Sequence, residues 1–171
     1  MPQPEITRRP TFRAEPPRLN ITGSAFADGA RIPRMYTADG ENVSPPLTWG
    51  EPPSGTKSFA LVCDDPDSQS GGFVHWLVWN MKADRRALEE NVPKVAQPAE
   101  FRQGQNGFGN IGYGGPRPPP GKAHRYVFHL YALDSALDLP MEALPAEVER
   151  AIAGHVVGEG RLMGLYQRQP A

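Results

Sequence analysis

The sequence predicts a single, mainly β domain with long, conformationally constrained loops. Three short apolar runs bounded by turn residues, at residues 58–64, 72–81 and 124–134, read as strands. The 20 prolines and 18 glycines are abundant but uneven, clustering at the N-terminus, between Pro45 and Pro53 and between Pro116 and Pro120, which is loop chemistry and not that of a helical bundle. A length of 171 residues suffices for one core and is short for two.

Taken in order, residues 1–18 form a polar, proline-rich tail expected to be flexible, and residues 19–171 form the domain. Residues 19–26 and 30–36 give short strand-like runs. Asp39-Gly40 and Ser44-Pro45-Pro46 are turn chemistry, leading into a short strand that ends at Trp49. The run 72–81 is apolar on both faces and should be a buried strand. Regular alternation would place Phe73, His75, Leu77 and Trp79 on one face, and Val74, Trp76, Val78 and Asn80 on the other. Residues 82–92 read as a short helix or turn, and residues 92–123 as one long loop, glycine-rich and then proline-rich. Loops of that length in a compact domain are functional or disordered. In the run 124–134, His124, Tyr126, Phe128 and Leu130 share a face. Pro145 in a first turn, Glu147 beside it and Gly154 as a stop predict a helix between them. Residues 155–168 close the chain as a strand or a strand pair.

Composition excludes several classes. A formal net charge of -1 offers no basic field for nucleic acid. The N-terminus lacks the apolar stretch of a secretory signal, and no apolar run approaches the length of a membrane span. Cys63 is the lone cysteine, so no internal disulfide forms; this fits a reducing, cytoplasmic setting and removes a cysteine-based zinc site.

The glycines at 107, 109 and 112 match G-x-G-x-x-G, but the prolines that follow cannot open a helix, so a dinucleotide site is rejected. Positive φ angles or a close backbone approach to a ligand account for them better. Pro116-Arg117-Pro118-Pro119-Pro120 reads as a stiff loop fixing a cavity wall, with docking into a partner's aromatic groove as the other reading.

His75 lies inside an apolar run, where an unpartnered imidazole is costly. Asp64, Asp65 and Asp67 follow one strand, and His124 and Tyr126 open another. A carboxylate beside each imidazole would fix its tautomer, leaving outward N–H groups and the Tyr126 hydroxyl to donate to an oxyanion. That pattern favours a functional pocket over a purely structural polar core. No G-x-S-x-G elbow supports a nucleophile, and a metal triad of two histidines and a carboxylate has no diagnostic spacing here.

Asp65-Pro66-Asp67, residues 75–81 (HWLVWNM) and residues 121–126 (GKAHRY) resemble the phosphatidylethanolamine-binding protein family. IPRMYTADGENVSPPLTW, GTKSFAL, YGGPRPPPGKAHRYVFHLYALD and the ending GHVVGEGRLMGLYQR are similar to its prokaryotic, Raf-kinase-inhibitor-like branch, so the resemblance runs from about residue 20 to 168. It implies an antiparallel β-sandwich with a few short peripheral helices. It also implies a small surface cavity for phosphate-type anions, including phospholipid head groups in some members. Carried over by position, the pocket is Asp65, His75, His124 and Tyr126, surrounded by Asp67, Phe73 and a wall of Pro118, Pro119 and Gly121. No cofactor, metal or catalytic residue is implied.

Two departures from the family accompany this resemblance. The chain stops shortly after Tyr166, so the C-terminal helix that borders the cavity in animal members is expected to be missing and the pocket more open. Arg117 stands where the family often has a small residue; it either strengthens anion binding or points to solvent. Binding is expected to tighten as pH falls through the histidine pKa. The implied function is binding of a small anion, a phosphorylated ligand or a phospholipid head group, with regulation of a kinase or protease partner, and self-association as a homodimer, by family analogy. The rival is an enzyme using the same Asp/His pocket for general acid–base chemistry on a small substrate.

Overall fold

The computed structural model describes residues 16–169, so most of the expected N-terminal tail lies outside the described residues. Two antiparallel sheets form the frame. The smaller has the order β1 (Ile21–Gly23), β2 (Leu47–Trp49), β5 (Ala87–Leu88). The larger has the order β6 (Arg102–Gln103), β4 (Phe73–Lys82), β3 (Ser58–Asp65), β7 (His124–Leu133), β8 (Val156–Tyr166). Among the described residues there is one α-helix, α1 (Pro145–Ile152).

The three apolar runs become β3, β4 and β7, side by side in the larger sheet, and layering explains their composition. On one face Phe59, Leu61, Trp76, Phe128 and Leu130 meet Leu47, Trp49 and Leu88 of the smaller sheet. On the other, Ala60, Val62, Leu77 and Trp79 meet Val148 and Ile152 of α1. A sheet covered on both sides needs apolar residues at successive positions. The helix follows its sequence signals: Pro145 occupies the first turn, the Leu144 N–H donates to Glu147 Oε1 at 2.8 Å, and Val148 and Ile152 are its buried residues.

Four local expectations are corrected. Residues 34–36 form a 3-10 turn after Pro33, not a strand, although Ile32 still donates to the Leu165 carbonyl at the edge of β8. Residues 82–92 make a turn followed by β5, because Leu88 buries against β2 and Trp49 N donates to Arg86 O. The segment 92–123 is not wholly loop: β6 pairs with Val78 and Trp79. The fourth concerns β4. Its register against β3 jumps from Asp64↔Val74 to Cys63↔Trp76, and again from Leu61↔Val78 to Phe59↔Met81. His75 is the extra residue of the first bulge, and Trp79 and Asn80 lie within the second, where Asn80 has φ 60°. Alternation therefore resets. Leu77 and Trp79 join Val74 on the helix side, and Trp76 and Val78 face the smaller sheet, so Phe73 and His75 do not share a face with Leu77 and Trp79.

The long edge strand β8 is protected. Leu19 N donates to Glu159 O, Gly29 N to Met163 O and Ile32 N to Leu165 O, which occupies edge groups that would otherwise template another chain.

Candidate functional site

The end of the larger sheet where β3 stops and β4 and β7 begin opens into a cavity of about 480 Å³. Asp65 comes from the last position of β3, Phe73 from the first of β4, His75 from its bulge, and His124 and Tyr126 from the start of β7. Asp67, Arg117, Pro118 and Pro119 complete the expected lining. Gly121 is the exception. It lies behind the wall, where its N–H donates to the Arg168 carbonyl and its own carbonyl accepts from Gln167 Nε2. Residues 167–168 thus brace the proline loop, and Arg168 Nη2 is itself held by Asp39 Oδ1 at 2.6 Å.

Sequence reasoning missed Phe108, which closes one side of the cavity with its ring 4.7 Å from Phe73 and 5.5 Å from His75, centroid to centroid. It also missed Ser68, Gln69 and Ser70 on the Asp turn. The signal for Phe108 was present in the glycines. Gly109 and Gly112 take φ 83° and 94°, as a positive-φ loop requires. A Cβ on Gly107 would stand 2.5 Å from the Phe73 ring, and one on Gly114 would stand 2.7 Å from the Phe108 ring. The close approach these glycines permit is to aromatic rings. Asn106, buried, holds the loop: its Oδ1 accepts the Phe108 and Asn110 N–H groups and its Nδ2 donates to Gly112 O.

The two histidines are held differently. His124 Nδ1 lies 2.7 Å from Asp65 Oδ2; an ionised carboxylate only accepts, so Nδ1 is the donor. Asp65 Oδ1 accepts the Asp67 N–H at 2.8 Å, which fixes the carboxylate in turn. His75 has no carboxylate partner. Its Nδ1 donates to the Gly114 carbonyl at 2.5 Å, leaving Nε2 for the cavity. Desolvation is the main influence on its pKa and lowers it, outweighing the Gly114 bond and the charge of Asp65. Burial moves any acid-promoted contribution of His75 below the ordinary histidine range, so near neutral pH its cavity nitrogen is an acceptor.

Tyr126 is 1% exposed, and its hydroxyl is buried with no hydrogen-bond partner among the described residues. Burial first, then the Asp65 charge, raises its pKa, so the group is a phenol and a donor. Asp65 stands close enough to act on it by charge and as a competing acceptor, although the two groups do not meet in full hydrogen-bond geometry. An orphaned buried hydroxyl costs about 1–3 kcal/mol, and one that borders a cavity points to a ligand. Asp67 is spent on structure: Arg125 donates from Nη2 to Oδ1 at 2.7 Å and from Nε to Oδ2 at 3.0 Å, holding the carboxyl pKa down at about 2. Among the described residues Arg117 makes neither a hydrogen bond nor an ion pair.

No three His, Cys, Asp or Glu side chains gather to hold a metal ion among the described residues. Nor is any described helix long and apolar enough to cross a membrane.

A family model of phosphatidylethanolamine-binding protein matches residues 22–167. A protein of Methanothermobacter thermautotrophicus named UPF0098 protein is 50% identical over 151 residues, 88% of this chain and 99% of that one. A Mycobacterium tuberculosis protein named "Putative lipoprotein LppC" is 40% identical over 159 residues, 92% of this chain and 76% of that one. Among solved structures, Escherichia coli YbcL, described as a new member of the mammalian PEBP family, superposes with a TM-score of 0.83 at 29% identity, covering 89% of this chain and 99% of its own.

Proposed function

The chain belongs to the phosphatidylethanolamine-binding protein family, and from that premise we propose that its cavity binds a protonated phosphate-type oxyanion, free or as the head of a phosphorylated ligand. The unpartnered Tyr126 hydroxyl is the observation that carries the reading. It supplies a donor at the cavity wall, beside Asp65, for which an oxyanion in the cavity would be an acceptor. Arg117 adds a guanidinium suited to two phosphate oxygens.

Neutral His75 refines the ligand class. Its Nε2 accepts, so the best occupant offers both oxyanion acceptors for Tyr126 and Arg117 and one O–H donor for His75. A singly protonated phosphate does so, whereas sulfate near neutral pH has no proton to offer. Binding should tighten as pH falls through the ligand's own second pKa, about 6 for a phosphomonoester. Protonation of His75 at still lower pH replaces its acceptor by a donor and erases the preference for phosphate over sulfate.

A cytoplasmic setting belongs to the same reading, on the lone and buried Cys63. An acid–base enzyme built on this cavity would have to carry protons on the imidazoles of His75 and His124, because both aspartates are committed. Asp67 is committed to Arg125, and Asp65 is committed to His124 and the Asp67 N–H.

Calorimetric titration with phosphate, phosphoethanolamine, phosphoserine and acetate, on wild type and Tyr126→Phe, tests the proposal. The expected result is phosphate-type binding that weakens strongly in the variant. Equal affinities in the two proteins, or a ligand returned chemically changed, would overturn it.

A further inference from the structure

The far side of the Phe108–Arg117 wall holds a second cleft of about 600 Å³. Its charged lining consists of Lys94 and Arg117, with the carboxamides of Asn42 and Asn110 and no carboxylate. In a protein of net charge -1 this is a local cationic site. The Lys94 ammonium donates to the Asn42 carbonyl at 2.8 Å and, among the described residues, meets no acidic side chain. Although the residue as a whole is exposed, desolvation lowers the pKa of its ammonium, so the charge sits against protein and not free in water.

The two spaces share their partition. Phe108 and Arg117 line both. Gly114 offers its carbonyl to His75 on one side and lines the second cleft on the other, and Gly115 N donates to Asn42 Oδ1 at 2.7 Å. A ligand seated by its phosphate in the first cavity can therefore continue over Phe108, which is 36% exposed, with Arg117 beside it throughout.

We propose that the ligand carries two acidic groups, one in the His75/His124 cavity and the second, a carboxylate or a further phosphate, held by Lys94 and Arg117 in the adjoining cleft. This rests on the anion reading of the first cavity. It adds that a spacer must cross an aromatic ridge, so that single anions occupy only half of the site.

Synthetic peptides carrying phosphoserine, one to three glycines and then glutamate, each paired with its glutamine counterpart, provide the test, with inorganic phosphate as the control. In wild type, glutamate at the matching spacing should bind about tenfold tighter than glutamine, the size of gain expected from two partly exposed cations. Lys94→Gln should reduce that ratio severalfold, and because the reading is a ratio, any change in phosphate affinity cancels. No glutamate preference at any spacing, or one that survives Lys94→Gln unchanged, overturns the inference. If inorganic phosphate binds wild type while the preference is absent, only the second cleft falls. If inorganic phosphate and the peptides all fail to bind, both readings fall.

Discussion

Single residues carry the chemistry, and Tyr126 carries most of it. A hydroxyl left buried without a partner destabilises the fold unless a ligand satisfies it. Tyr126→Phe should therefore unfold at the same or a higher urea concentration, by up to about 1 kcal/mol, while losing about tenfold or more in phosphate affinity. A purely structural tyrosine would show the reverse, a loss of stability with ligand affinity kept. The importance of His75 was legible because an imidazole inside an apolar run must face something polar. Its partner was not legible: the Gly114 carbonyl lies 39 positions away, across a loop whose path no local pattern specifies.

At the scale of elements, the bulge in β4 decides what the site contains. Strict alternation would have put His75 with Leu77 and Trp79, which instead lie in the helix-side core. The strands were readable from their apolar runs. The bulges were not: a register jump depends on the partner strand, and within β4 only Asn80, a residue type that tolerates a left-handed backbone, hints at the second. Asn80 marks the second bulge: at φ 60° it donates from Nδ2 to Leu137 O at 3.0 Å and accepts Leu137 N–H at 2.7 Å. Asn80→Ala should cost about 2–3 kcal/mol in urea unfolding, from two lost hydrogen bonds and a left-handed backbone that alanine tolerates poorly. The glycine loop makes a second demand. Gly107→Ala would press a methyl into the Phe73 ring, so phosphate affinity should fall although no ligand-contacting group is removed. An unchanged titration would show that the ring moves aside freely. Phe108 and Phe73 explain why those glycines are needed, and the sequence offered no means of telling a ring from a ligand as the close neighbour.

For the whole molecule, layering and charge set stability. Both faces of the larger sheet are covered, and its long edge is occupied by residues 17–32. The sandwich class was therefore readable from strand composition together with the family's motifs. Two separate losses of stability are expected on acidification. The folded-state pKa of His75 lies below its unfolded value of 6.5, so the unfolded chain binds the extra proton, and stability falls as pH drops below about 6.5 until the folded pKa is passed. Asp39, held at about 2 chiefly by Arg168 and then Tyr166, and Asp67, held at about 2 by Arg125, contribute stability that is present above 3.8 and lost as pH falls toward 2. Urea midpoints measured from pH 8 to pH 2 should show both steps, and His75→Gln should remove the first alone. A profile flat between pH 8 and pH 5 would mean that His75 is not held neutral. A ligand at about a hundred times its dissociation constant should add about 2.7 kcal/mol of apparent stability.

The most direct test is calorimetric titration of wild type and Tyr126→Phe with phosphate and with sulfate at pH 7. The account predicts that wild type binds phosphate more tightly than sulfate, and that Tyr126→Phe weakens phosphate by about tenfold or more without losing stability. Equal affinity of the two proteins for phosphate, or no binding to wild type, would contradict it and leave the Asp65, His75 and His124 cluster as a polar core.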